Sequence, residues 1–244
     1  MTPERTAIVT GAGKRVGRDI AAALVERGWS VIAHVHHGAD DVPAGAVKVV
    51  ADLEETGCAG AIFAALDGLA PPTLLINNAS RFAWDGFGAF DPNEFCAHMA
   101  VNVRAPVLLI QQFAALQTPG RDSLVVNLID SKLAFPNPDF LSYTLSKQAL
   151  AGLTELAARA LAPRGIRVNG IAPSLMLRSA GQSEENFELM HSNNPLRRGV
   201  DGRDVIEAIH YLVGARCVTG QMLVIDSGLR FIGLGRDVQF LGEA

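Results

Sequence analysis

Short apolar runs alternate with segments of helical spacing from one end of the chain to the other, and that alternation leaves few folds open to it. Thr6–Thr10 is an apolar run before a glycine-rich turn. Val16–Arg27 follows, with Val16, Ile20, Ala23 and Leu24 on one helical face and a stop at Gly28. Ser30–Val35 and Ala46–Val50 read as strands, Leu53–Leu69 as a helix ended by Pro71-Pro72, and Thr73–Asn77 as a strand. Pro92–Gln117 reads as one long helix that Pro106 must kink or interrupt. Ser123–Ile129 (strand), Tyr143–Leu161 (helix), Ile166–Ile171 (strand), Asp201–Val213 (helix) and Met222–Ile225 (strand) complete the order. The strands are apolar throughout, which implies burial on both faces. The expected fold is therefore α/β, a doubly wound parallel sheet with helices on both faces. Residues 1–244 are expected to form one domain, with weakly periodic Leu175–Asn194 as a mobile loop or short helices over the site.

The composition narrows the function classes. A net charge of −4 offers no basic field for nucleic acid or an anionic membrane. No apolar run approaches a membrane span, and the N-terminus carries no signal-like apolar region, so the expectation is a cytoplasmic protein. Cys58, Cys96 and Cys217 are widely spaced and read as three reduced cysteines.

Thr10-Gly11-Ala12-Gly13-Lys14-Arg15-Val16-Gly17 joins the first strand to the first helix. In a Rossmann-type fold that is where backbone N–H groups and a helix N-terminus receive a pyrophosphate, and glycine permits the close approach. NAD-binding forms place a carboxylate after the second strand. Here that stretch is His34-Val35-His36-His37-Gly38. With no acid there, and with Lys14 and Arg15 to attract a 2′-phosphate, the expected cofactor is NADP(H). The histidines have no further ligands at metal spacing, so no metal is expected.

Tyr143 and Lys147 stand four residues apart, on one helical face. An ammonium beside a phenol favours the phenolate, so Tyr143 is expected to have a lowered pKa and to act as acid or base.

Taken in order, the glycine-rich loop, Asp52, Asn77-Asn78-Ala79-Ser80, Asn102, Tyr143-Thr144-Leu145-Ser146-Lys147 and Arg167–Pro173 make the chain resemble the short-chain dehydrogenase/reductase family over nearly its whole length. The resemblance implies that Tyr143 is the acid/base, that Lys147 binds the ribose, that Asn102 holds a relay water and that Asp52 holds the adenine. It implies cofactor contacts at Gly11, Lys14, Arg15, Val16, Gly17, His36, His37, Leu53, Asn78, Ala79, Ser80, Pro173 and Ser174. The family's serine falls thirteen residues before the tyrosine. Here that position is Asp130, with Ser131 beside it as the substitute if the loop shifts by one.

Asp130, Lys14-Arg15, the histidine-rich strand end and Asn78-Ala79-Ser80-Arg81-Phe82 are shared with the pteridine reductases and dihydromonapterin or dihydrofolate reductases of this type. That narrower likeness implies a pterin substrate, with Phe82 stacked on it and the proton delivered through Tyr143 or Asp130. The chain departs from that subgroup at His37-Gly38, Ala83 and Ser174. Two rival readings are a carbonyl reductase acting on a ketone or acyl thioester, and a cofactor-binding sensor. The family also implies a homotetramer paired through Pro92–Gln117 and Tyr143–Leu161, and the apolar stretch Leu229–Ala244 is expected to reach a neighbouring subunit's site.

Overall fold

A computed structural model describes residues 5–179 and 181–241. Met1–Glu4 of the expected N-terminal approach, Ala180 of the expected loop, and the end of the apolar tail from Gly242 lie outside those residues. Seven strands form one parallel sheet: β1 (Thr6–Val9), β2 (Ser30–Val35), β3 (Val47–Val50), β4 (Pro72–Asn77), β5 (Ser123–Leu128), β6 (Ile166–Pro173) and β7 (Met222–Ile225). Their order is β3-β2-β1-β4-β5-β6-β7. The chain reverses direction across the sheet between β1 and β4. Open α/β sheets place their ligand crevice at such a switch point, beyond the carboxyl ends of the strands.

Successive strand residues feed opposite layers. Ala7 and Val9 of β1 pack with Ile20 and Leu24 of α1 (Arg15–Glu26) and with Val205, Ile209 and Leu212 of α7 (Gly202–Gly214). Ile8 packs on the other face with Ile62 of α2 (Cys58–Ala64), Leu109 and Phe113 of α4 (Ala105–Ala115), and Ala158 of α5 (Leu141–Leu161). Burial on both faces is why the inner strands β1, β2, β4, β5 and β6 read as continuous apolar runs.

Two helices differ from the sequence reading. The helix expected over Leu53–Leu69 shortens to α2. Asp52 accepts from the Glu54 N–H at 2.8 Å and turns the chain, and Gly68 at φ +75° closes the other side. The long helix is interrupted, as Pro106 requires. It runs as α3 (Pro92–Met99), a π-helical stretch Ala100–Arg104, and α4. Pro106 has no N–H to return to the Asn102 carbonyl, so regular α-helical bonding fails at Asn102. Within the weakly periodic segment, α6 (Glu184–Ser192) forms a helix capped by Ser183.

Candidate active site

A cleft of about 680 Å³ opens at the switch point. Every site residue singled out in the sequence lines it except Asn102, which is buried behind it. The glycine loop forms one wall. Gly11 sits at φ +67°, and a Cβ on Gly17 would lie 2.1 Å from the Gly11 carbonyl oxygen, so Gly17 tolerates no side chain. Thr10 Oγ1 accepts from the Asn78 and Ala79 N–H groups at 3.0 Å each, and Asn78 Nδ2 donates to the Thr10 carbonyl at 2.8 Å. These bonds pin the ends of β1 and β4 together. Helix α1 begins without a side-chain cap at Lys14 and without an acid in its first turn. Its free N–H groups and positive dipole end are therefore left to an anion, which fits a dinucleotide pyrophosphate.

At the adenosine end the histidines divide. His34 is buried, and burial lowers its pKa, so its ring is neutral. Its Nδ1 accepts the Gly11 N–H at 3.2 Å, which leaves Nε2–H to donate to the Ala51 carbonyl at 3.0 Å. His34 is thus a pin beneath the glycine loop. His36 and His37 face outward with rings 4.1 Å apart, and His36 Nε2 lies 3.7 Å from Asp52 Oδ2. The sequence reading found no acid in this stretch as far as Gly38. The structure folds Asp40 back into it, where its carboxylate accepts the His37 N–H at 3.2 Å. Among the described residues, no three His, Cys, Asp or Glu side chains are grouped to hold a metal ion.

At the opposite end Tyr143 Oη donates to Asp130 Oδ2 at 2.7 Å, and Asp130 Oδ1 accepts the Lys132 N–H at 2.8 Å. Ser131 lines the cleft but does not bond Tyr143, so the loop does not shift by one. Burial raises the Asp130 pKa, against the pull of the Lys132 N–H, Tyr143 and two lysines. Burial, then Asp130 itself, pushes the Tyr143 phenol well above its ordinary value. The expected lowering of Tyr143 by Lys147 is therefore corrected. Lys147 Nζ donates to the Leu128 carbonyl at 2.7 Å and lies 5.6 Å from the Tyr143 ring centre. Burial lowers the Lys147 pKa to about 8, with Asp130 opposing.

Asn102 holds the wall behind Tyr143. Its amide oxygen accepts from the Arg81 N–H at 2.8 Å and from Ser80 Oγ at 3.2 Å. Its Nδ2 donates to the Arg81 carbonyl at 3.0 Å and to Ser146 Oγ at 2.9 Å. With four bonds made, its side chain is fully used, and the expected relay water is left to its backbone carbonyl, to which Pro106 returns no N–H. Arg81 grips Glu94 through Nε at 2.6 Å and a second nitrogen at 2.8 Å, fixing the segment that carries Phe82. Phe82 keeps 45% of its surface exposed in the cleft, but one face is stacked on Phe140 at 4.4 Å.

The sequence reading missed several residues here. Asp85 is buried and accepts both the N–H and the hydroxyl of Ser142 at the start of α5, just before Tyr143. The described part of the C-terminal tail lines this chain's own cleft, through Leu234, Asp237 and Val238.

The family profile described as "Enoyl-(Acyl carrier protein) reductase" matches residues 11–230. The chain is 30% identical to pteridine reductase 1 of Leishmania tarentolae, the match covering 91% of this chain and 95% of that protein. It is also 30% identical to carbonyl reductase [NADPH] 2 of Sus scrofa, over 91% and 95% of the two chains. Among solved structures it is similar to FolM alternative dihydrofolate reductase 1 from Brucella canis, complexed with NADP. The identity is 37%, the TM-score 0.89, and the coverage 95% of this chain and 96% of that one. The glycine cradle at the switch point and the tyrosine–lysine pair at its far end agree with these matches, and the chain is an oxidoreductase belonging to the short-chain dehydrogenase/reductase family.

Proposed function

We propose that the protein is an NADP(H)-dependent reductase of a dihydropterin-type C=N bond. One observation carries the reading: the 2.7 Å bond between Tyr143 and a buried carboxyl, Asp130, where the family has a serine. A ketone needs only one proton donor at its oxygen. A carboxyl beside the phenol suits a substrate whose reacting atom is a ring nitrogen with N–H neighbours. The similarities to pteridine reductase 1 and to the alternative dihydrofolate reductase support the same substrate class.

NADP(H) fits the cradle, with Gly11 to Gly17 and the start of α1 taking the pyrophosphate and Lys14, Arg15, His36 and His37 at the 2′-phosphate end. Asp52 and Leu53 would hold the adenine, and Asn78, Ala79, Ser80, Pro173 and Ser174, which line the same cleft, would hold the nicotinamide end. When bound, the reduced nicotinamide supplies the hydride. The chain's own part is the proton. Burial keeps Tyr143 protonated, so its phenol donates directly and no phenolate has to form first. Asp130, whose pKa burial raises, would pass a proton back to Tyr143 along their shared bond once the phenol has given its own. Lys147 spends one N–H on Leu128 and has two left for ribose hydroxyls. The exposed face of Phe82 offers a flat surface for a planar ring.

A carbonyl reductase is the second reading, favoured by the equal identity to the Sus scrofa enzyme and by a phenol able to protonate an alkoxide. NADPH oxidation measured with dihydrobiopterin, dihydrofolate and simple ketones separates the two. Turnover of the pterins supports the proposal, and turnover of ketones alone overturns it. The assembly we propose is a homotetramer paired through α4 and α5.

A further inference from the structure

The tail beyond β7 is fastened to the loop after β5 at several points that are far apart in sequence. Lys132 Nζ donates to the Asp139 carbonyl at 2.6 Å and to Asp237 Oδ2 at 3.2 Å. Asp139 Oδ2 accepts both Arg236 Nε and the Asp237 N–H at 2.8 Å. The Lys132 and Asp237 side chains are only 11% and 16% exposed. Charges this shielded hold one another more firmly than surface pairs do, and removing one leaves its partner uncompensated. Phe240 stacks on Phe140 at 6.1 Å, with Arg236 5.2 Å from the Phe240 ring centre, and Phe140 in turn stacks on Phe82. Gly233 at φ +71° lies against Phe135, where a Cβ would meet that ring at 3.0 Å.

The clasp bounds the cleft at the Tyr143 end, where Leu234, Asp237 and Val238 join Phe82 and Phe135 in its lining. The whole cleft is about 680 Å³, within the roughly 300–1,000 Å³ usual for a single small ligand. It must take a dinucleotide and a substrate together, so the space left at the tail end is small.

We propose that the tail, clasped through Arg236, Asp237 and Phe240 to Asp139, Lys132 and Phe140, is a specificity wall that admits compact ring substrates and excludes carbonyl compounds carrying a long acyl arm. The proposal rests on the reading that Tyr143 and Asp130 face the substrate. An acyl-thioester arm leaving the reacting carbon past Val238 would need the Lys132–Asp237 pair to open, whereas a ring seated on Phe82 would leave it shut. The clasp therefore acts by exclusion and takes no part in the proton transfer.

The test compares the full-length protein with Arg236→Ala/Asp237→Ala, and with Asp237→Asn, which keeps the shape and one acceptor for Lys132. Amide exchange on the ligand-free proteins reads the clasp without any substrate. Residues 236–241 should exchange at least about tenfold faster in the double variant and only slightly faster in Asp237→Asn. Turnover with NADPH then reads the wall, using dihydrobiopterin and acetoacetyl-pantetheine as probes. The thioester-to-pterin ratio of kcat/KM should rise at least about tenfold in the double variant and little in Asp237→Asn. A wild-type tail that exchanges at coil rates overturns the clasp. A freed tail with an unchanged ratio overturns the wall. A wild-type protein with a protected tail and no turnover of either probe overturns the reductase reading itself, and the wall falls with it.

Discussion

The hydroxyl of Tyr143 bonds Asp130, and the consequences of that pairing can be separated from those of Ser131. Tyr143→Phe removes the proton donor and little volume. It should lower kcat by roughly 10²–10⁴-fold while NADPH affinity, read by fluorescence titration, changes little. Asp130→Asn keeps the size but cannot return a proton, so kcat on the pterin should fall more than KM rises; Ser131→Ala should be nearly silent. The opposite ranking in kcat/KM would make Ser131 the working partner. Lys147 gives a prediction on the ligand-free protein. Its folded pKa of about 8 lies below the unfolded value of roughly 10.4, so between those limits the unfolded chain binds more protons. Stability from this group is therefore absent below about pH 8 and gained as pH rises towards 10. Lys147→Met should lose that rise, as seen by comparing urea midpoints of the two proteins across the window; parallel curves would show Lys147 to be unperturbed. The sequence made these residues legible because their chemistry is local, in the four-residue spacing of Tyr143 and Lys147 and the fixed distance back to Asp130. It concealed their charge states, which burial sets. It also hid Lys132 and Asp237, which meet only because the tail returns over the cleft.

Among the elements, α5 carries Tyr143 and Lys147, and its start is held from outside the helix. Phe140 precedes it at φ 55° with no capping side chain of its own, and Asp85 supplies the missing acceptor to Ser142. Asp85→Ala removes two bonds at a buried helix start. It should cost about 2 kcal/mol, a fall in Tm of roughly 4–8 °C for a chain of this size. Asp85→Asn should recover part of the loss. Scanning calorimetry of both variants checks this, and a shift below about 1 °C for the alanine would show that water replaces the carboxylate. Nothing near residue 85 announces this role, because a cap contributed from 57 positions away has no spacing to read. The order of strands and helices was legible for the opposite reason. Burial on both faces writes continuous apolar strands and one-sided helices directly into the chain. Helix ends were less so. The short α2 depends on how Asp52 and Gly68 turn the backbone, and the π-helical stretch at Asn102 depends on Pro106 together with the bonds Asn102 makes to Arg81 and Ser146.

At the scale of the whole molecule, the apolar surface is divided between two uses. In the tail, Val238 lines the protein's own cleft and Phe240 stacks on Phe140 beside it. The apolar side chains left exposed on α4 and α5 include Val107 of α4 and Leu145 and Leu156 of α5, with Leu156 67% exposed. We expect these exposed apolar positions to contribute to the association surface proposed for α4 and α5. A two-fold axis lets the same helices face their own copies, and a second axis then gives a tetramer. Light scattering at micromolar protein should report about four times the 25.9 kDa chain mass. Leu156→Asp places a charge at the most exposed of these positions, where the single chain gives it water. It should therefore split the assembly while leaving the chain folded by far-ultraviolet circular dichroism. A wild-type monomer, or a Leu156→Asp protein that still assembles, would move the interface away from α5. Because the tail closes the cleft within one chain, the dissociated variant should keep Tyr143, Asp130 and the clasp together. Turnover that survives dissociation would show that each copy carries a complete site, and turnover lost with it would show that the neighbour holds part of the cleft in place.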